Sequence, residues 1–391
     1  MTMTDPTNAL AGHGLEADWL GELCRAAGVD DVGFVEIDRP ELQVDREHIL
    51  QAAPWTRTLV TFVLRWRMEN IRSPSRSVAN HEFHAGYEDV TAVSRRIVDQ
   101  LNEHGVRAIH TSFGFHMEMD RWPTKPWIVS HKIAAEQAGL GRMGIHRNVI
   151  HPKFGNFIAI GTVLIDREVQ RYSRALDYNP CLTCKLCVAA CPTGAIGADG
   201  HFNFSACYTH NYRELMSGFG DWVEQVADSR DAIDYRRRVS DAETVSMWQS
   251  LAFKPGYKAA YCVSVCPAGE DVLGPFQADK KQFVEEVVRP FQDKPETVYV
   301  VAESDAEQYV PRRFPRKQIK RVSNGLRARN IEQFLFAMNL LFQPEQAADL
   351  DATYHLTFTG AESKMATVVI RDKKLSVEQG HQGKADLRLT A

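Results

Sequence analysis

No stretch of this chain approaches about eighteen uninterrupted apolar residues, so a membrane-spanning helix is not expected. The opening MTMTDPTNALAGHGLEADWL lacks a positively charged start, an apolar core and a twin arginine. That excludes the usual export signals and leads us to expect a cytoplasmic protein. Neither sign of charge is in excess: 46 Lys and Arg against 50 Asp and Glu leave −4. With no general pull toward polyanions, nucleic acid is not expected as a partner. Cysteine is scarce outside one region, since seven of the eight fall between 181 and 266 and only Cys24 stands apart. Such clustering argues against a secreted disulfide framework and for metal ligands in a reducing compartment. Cys24 itself is expected to be a packed core thiol. Hydrophobic residues at 44% and charged residues at 25% over 391 positions describe an ordinary globular chain of two or three domains.

What the chain does have is NPCLTCKLCVAACPT, residues 179–193. Cys181, Cys184, Cys187 and Cys191, followed by Pro192, stand as C-x2-C-x2-C-x3-C-P. This is the spacing of two-cluster iron–sulfur ferredoxins, with zinc as the alternative for soft thiolates. Three thiolates in a tight loop reach three corners of one cubane, and the fourth turns toward a second cluster. Cys207 follows in FSACYTHNY, then Cys262 and Cys266 in YCVSVCPAGED. A crossed arrangement assigns Cys181, Cys184, Cys187 and Cys266 to one [4Fe-4S] cluster. It leaves Cys191, Cys207 and Cys262 for the other, because Ala259 stands where a fourth cysteine would be. The second cluster is therefore expected as [3Fe-4S], or as [4Fe-4S] with a non-cysteine ligand.

Before this motif, residues 15–27 read as a helix closed by Gly28, and 32–37, 58–64 and 106–110 as strands around a helix at 90–102. Helices alternating with apolar strands indicate an α/β domain. The residues before 15 are expected to form a loose arm. NHEFHAGYED, residues 80–89, reads either as a surface loop or as the lining of a pocket. A helix is expected over 127–137 and a strand over 156–165. Between them, Gly139, Gly141 and Gly144 fit the letters of a dinucleotide fingerprint but lie after a helix and before a strand, the wrong context. No nicotinamide site is expected, and the glycines say only that backbone approaches something closely, chain or cofactor. Residues 208–261 read as a polar, helical insertion. Residues 311–329 carry eight Lys or Arg and no acid, a run that could hold anionic phosphates or a lipid surface but more commonly is a solvated linker or docks against acidic neighbours. A helix at 330–342 and strands at 352–359, 365–371, 374–378 and 385–389 form a small α+β end.

AGLGRMGIHRNVIHPKFGNFIAIGTVLID, placed just before the cysteine run, resembles the core shared by epoxyqueuosine reductases and reductive dehalogenases. HAGYED at 84–89 and Cys207 in its setting are similar to that pattern too. The resemblance covers roughly residues 15–275. It implies a nitroreductase-like α/β core binding cobalamin over 15–175 and a ferredoxin-like two-cluster domain over 176–280. A connector, 281–324, would follow. The end, 325–391, resembles a sterol-carrier-type domain, expected here in shortened form. Helical repeats that characteristically follow the clusters in epoxyqueuosine reductases are not seen in this sequence.

The resemblance further implies that Gly139, Gly141, Gly144, His146 and Asn148 lie against the corrinoid, with the cobalt bound without a protein axial ligand. Electrons from a ferredoxin, flavodoxin or reductase would enter at the second cluster, pass to the first and reach cobalt. The proton donor departs from the pattern. The aspartate of epoxyqueuosine reductases falls near Lys125 here, with Asp120 further back, while reductive dehalogenases use a tyrosine assisted by a basic residue. Tyr87, Lys125 and His131 are the candidates. The main expectation is a cobalamin-dependent, reductive dehalogenase-like enzyme acting on a small or apolar organic substrate. The alternatives are a corrinoid-free electron carrier and an epoxyqueuosine reductase acting on tRNA.

Overall fold

The structure, a computed structural model, describes residues 14–122, 124–181, 183–344, 346–347 and 349–391. The expected N-terminal arm, apart from Gly14, lies outside the described residues. The chain divides into two units, one of Met1–Asp120, Lys125–Cys187 and Val263–Val288, the other of Arg121–Thr124, Val188–Cys262 and Arg289–Ala391.

The first unit is built on a four-stranded sheet. Helix α1, Ala17–Ala27, buries Leu20, Cys24 and Ala27 along one stripe and ends where Gly28 adopts φ 106°. Burial pushes the Cys24 thiol up to about 12, an inert core group. Strand β1, Asp31–Glu36, pairs with β2, Thr58–Arg65. The 28-residue helix α2, Arg76–Glu103, leads to β3, Ala108–His110, and a short helix α3, His131–Gln137, precedes β4, Ile158–Ile165. The sheet order is β1-β2-β4-β3.

Strands β2 and β4 are central and buried on both faces, which is why TLVTFVL and IAIGTVLI are almost continuously apolar. Alternate residues feed two cores. Val60, Phe62 and Leu64 pack with Ile97 and Leu101 of α2, while Leu59 and Val63 pack with Ala134 and Ala135 of α3. Every pairing in this sheet is antiparallel. The fold is thus mixed helix and sheet, as expected; strand direction, which alternation in sequence leaves open since a helical connection can return the chain to either end of a neighbouring strand, is antiparallel.

Residues 80–89 are neither loop nor turn but part of α2. Buried Ala79, Phe83 and Gly86 carry the helix's apolar stripe back from Val90 and Val93. At Gly86 the indole of Trp66 lies so close that a Cβ would meet its Nε1 at 2.1 Å.

The second unit carries helices α4, Phe204–Asn211, α5, Gly218–Ala227, and α6, Asp241–Phe253, the last opened by a Ser240/Glu243 capping box. A parallel pair, β5, Thr297–Val300, with β6, Gln318–Arg321, follows. Helix α7, Ile331–Leu341, packs on a sheet of β7, Ala352–Phe358, β8, Lys364–Arg371, β9, Lys374–Gln379, and β10, Leu387–Thr390, in the order β9-β8-β7-β10. The basic run is largely exposed but finds acidic partners. Lys317 is buried and donates to the carbonyls of Phe291 and Lys294 and to Glu296, Lys320 pairs with Glu243, and Arg321 with Glu307. Among the described residues no helix is long and apolar enough to cross a membrane.

Candidate iron–sulfur and reductase site

The division of the chain falls inside the cysteine motif. Cys181, Cys184, Cys187 and Cys266 belong to the first unit, and Cys191, Cys207 and Cys262 to the second. In the first unit the four cysteines line one small cavity together with Ile145, His146 and Ile150. Cys187 and Cys266 are buried, and Cys184 is exposed at the mouth.

Local features hold this geometry. The Asn179 carboxamide accepts from the Cys181 backbone N–H at 2.9 Å, and the Ile145 N–H donates to Cys181 Sγ at 3.2 Å. Cys266 comes from far along the chain through a glycine-to-glycine apposition. A Cβ at Gly155 would meet the Ala268 carbonyl at 2.1 Å, and one at Gly269 would meet Gly155 N at 2.3 Å. Backbone bonds from Glu270 to Pro152 and from Asp271 to Lys153, both 2.9 Å, close the junction. Among the described residues no three His, Cys, Asp or Glu converge on a single-ion position. Four soft thiolates around one cavity fit an iron–sulfur cluster in donor type.

In the second unit Cys191 Sγ lies 3.6 Å from Thr193 Oγ1, and Cys207 sits on α4. The backbone N–H of Ala259, the position without a cysteine, donates to Asn211 Oδ1 at 2.9 Å. Tyr212 is raised well above its ordinary pKa, first by burial and then by the charges of Tyr257, Cys207 and Cys262. A tyrosine rather than a thiolate thus accompanies those two ligands.

The five candidate corrinoid contacts form a compact turn in the first unit. The faces of the glycines are occupied by the chain itself: a Cβ at Gly139 would meet the Arg174 carbonyl at 2.7 Å, at Gly141 the Ile150 carbonyl at 2.5 Å, and at Gly144 the His146 ring at 2.8 Å. His146 Nδ1 accepts from the Asn148 N–H at 3.1 Å, and its Nε2 lies 3.2 Å from the Asn156 carboxamide nitrogen. Burial, then the Lys132 charge, draws His146 down to about 3, so the ring is neutral. Lys132 Nζ donates to the Arg147 carbonyl and to Asn148 Oδ1. The polar atoms of His146 and Asn148 are thus used within the turn.

Of the candidate acids, Tyr87 and His131 lie on either side of Phe113. Ring centroids are 4.5 Å apart for Tyr87–Phe113 and 5.8 Å for the stacked Phe113–His131 pair. His131 Nε2 donates to the Ser112 carbonyl at 2.9 Å, so Nδ1 accepts from the Thr162 hydroxyl at 2.9 Å. Burial lowers its pKa, and the ring is a neutral fixture. Lys125 forms an ion pair with Asp45, whose buried carboxylate also accepts from the Ser130 N–H at 2.9 Å and the Ser130 hydroxyl at 3.1 Å. Desolvation draws Lys125 down to about 8. Asp120 is exposed in a short turn, Met119–Arg121. Sequence reasoning missed Asp45, Phe113 and Thr162, whose local sequence carries no signal for these contacts.

No family model matches the chain. A curated epoxyqueuosine reductase of Leadbetterella byssophila is 43% identical over 68 residues, 17% of this chain and 22% of that protein. The chain is a relative of the epoxyqueuosine reductases. It spans about a fifth of the length of that relative. Among solved structures, a reductive dehalogenase aligns at 14% identity over 65% of this chain and 38% of its own, with a TM-score of 0.41. An epoxyqueuosine reductase solved with an epoxyqueuosine-modified tRNA-Tyr stem loop aligns at 14% identity over 84% of this chain and 91% of its own, with a TM-score of 0.35. The expectation that nucleic acid is no partner is therefore corrected. The curated relative is an epoxyqueuosine reductase, and an epoxyqueuosine reductase has been solved with a tRNA stem loop. A whole-chain charge of −4 averages over the surface and does not report what a local face can bind.

Proposed function

We propose that the chain is a cytoplasmic iron–sulfur oxidoreductase of the epoxyqueuosine reductase type, reducing an epoxyqueuosine-bearing tRNA. The observation that supports this best is the ring of Cys181, Cys184, Cys187 and Cys266 around one cavity in a chain related to those reductases. In this reading residues 15–175 form the cofactor-binding part, 176–280 the cluster part, 281–324 a connector and 325–391 a sterol-carrier-like end. Cys191, Cys207 and Cys262 would hold a second cluster, and the clusters would supply electrons taken from an external ferredoxin, flavodoxin or reductase.

A corrinoid, when bound, supplies a low-potential metal centre that delivers electrons to the substrate. The turn of residues 139–148 would hold it, and the His146 ring, neutral and hydrogen-bonded to the Asn148 N–H, would keep that turn in shape. Reduction of an epoxide also needs protons at oxygen. Lys125, half-buried beside Asp45 with a pKa near 8, holds a transferable proton at neutral pH.

Anaerobically reconstituted protein should contain about seven or eight irons per chain, depending on whether the second cluster has three or four, and should convert epoxyqueuosine in tRNA to queuosine by nucleoside mass. Iron-loaded protein that leaves epoxyqueuosine untouched with cobalamin and dithionite as electron donor present sinks the tRNA reading. The departure at Lys125 favours a second reading, reduction of a small organic substrate as in reductive dehalogenases. It predicts halide release from aryl halides by the same preparation.

A further inference from the structure

One largely buried cation takes no part in the chemistry above. Arg72 ends the short helix Met68–Arg72 in the first unit. Its guanidinium carbon lies 5.3 Å from the ring centroid of Phe157 and 5.4 Å from that of Phe283, a pair of cation–π contacts. Nε donates to the Ser264 carbonyl at 3.4 Å, and the Ser264 hydroxyl donates back to the Ile71 carbonyl at 2.7 Å. Arg72 is thus stapled two residues before Cys266. Its Nη2 is buried and has no hydrogen-bond partner among the described residues. Burial lowers the pKa of Arg72, while the charges of Glu69 and of the Cys266 thiolate raise it. Arginine stays charged even so.

A buried donor without an acceptor costs about 1–3 kcal/mol as a general rule, and a structure keeps one where an acceptor arrives with a ligand. The aromatic contacts hold the guanidinium in place and limit its screening by water. Adding an electron to a thiolate-bound cluster adds negative charge, and a fixed cation nearby stabilises that state.

We propose that Arg72 is a positioning residue for the four-cysteine cluster: its charge beside Cys266 raises the cluster's reduction potential, and its Nη2 donates to sulfur there. This rests on the cluster reading of the proposed function.

The test is an EPR-monitored redox titration of anaerobically reconstituted full-length protein, with iron and sulfide counted in each sample. Arg72→Gln and Arg72→Met should keep wild-type iron and sulfide and show a more negative midpoint potential for the four-cysteine cluster. Arg72→Lys, which keeps the charge, should fall between them and the wild type. A packing role alone would not separate Lys from Met in this order. Full iron with an unchanged potential in Arg72→Gln overturns the proposal, and so does loss of iron in all three variants, which would make Arg72 a packing anchor. Wild-type protein that binds no iron at the four cysteines removes the cluster reading itself, a result distinct from either.

Discussion

The backbone N–H of Ile145 donates to Cys181 Sγ at 3.2 Å, joining the glycine-rich turn to the cysteine loop. Sulfur that accepts an N–H bond is more stable as the thiolate a cluster needs. Since Cys181 and Cys207 fall in different units, their loss should be separable. Cys181→Ser is expected to remove the iron of the first cluster and spare the signal of the second, and Cys207→Ser the reverse. Iron counting with EPR checks this, and loss of both signals from either variant would contradict the crossed ligand assignment.

Gly155 controls whether Cys266 reaches its partners. It adopts φ 64°, and a Cβ there would meet the Ala268 carbonyl at 2.1 Å. Backbone must move, and Cys266 lies two residues before Ala268. Gly155→Ala should therefore lose the four-cysteine cluster preferentially, or release its iron to a chelator at least tenfold faster than wild type. Gly105→Ala, at a glycine with nothing within 4 Å of its Cβ position, controls for general destabilisation by a substituted glycine.

Burial draws Lys125 down to about 8, while the Asp45 carboxylate beside it favours the ammonium, so it keeps its proton at neutral pH and loses it on the alkaline side. As proton donor it predicts turnover that is level up to neutral pH and falls on the alkaline side. Lys125→Gln should lower turnover about 100-fold and abolish the alkaline limb. A limb that persists in Lys125→Gln assigns the titration to another group.

The parts of this protein that were legible in sequence are those whose chemistry is local. Cys181, Cys184 and Cys187 line one cavity, as a loop of that spacing allows. The run from Leu59 to Leu64 announces a central strand because both its faces are buried. Residues 80–89 misled because histidine, glycine and charge are turn-like in isolation, whereas their helix is secured by Trp66 packing on Gly86. For the basic run the sequence left a solvated linker and docking on acids both open, because Lys317, Lys320 and Arg321 find Glu296, Glu243 and Glu307 only after folding. Asp45 and Arg72 were silent for the same reason: their meaning lies in Lys125 and in Cys266, far along the chain.

His210 should make the second unit acid-sensitive. It is buried, its Nδ1 accepts from the Tyr299 N–H at 3.3 Å, and burial draws its pKa to about 4. Its folded value is below its unfolded one, so between those values the unfolded chain binds more protons. Stability is fully present above about pH 6.5 and is lost as the pH falls toward 4, by on the order of 3 kcal/mol. Urea unfolding of the iron-free protein at pH 7 and pH 5 should show the loss, and His210→Phe should flatten the slope.

Arg213 and Asp221 form a buried ion pair at 2.6 Å, both side chains under a tenth exposed. Asp221 Oδ1 also accepts from the Ser323 N–H at 3.1 Å, and the Arg213 guanidinium lies 4.6 Å from the Tyr299 ring centroid. Removing one partner strands the other charge away from water. Asp221→Ala should therefore destabilise the second unit by about 3–5 kcal/mol, whereas replacing both, Arg213→Met with Asp221→Leu, should cost clearly less. Urea denaturation of the single and double variants decides it. Additive losses would mean that the pair, desolvation included, contributes no coupling, and that the two residues are held by their other contacts alone.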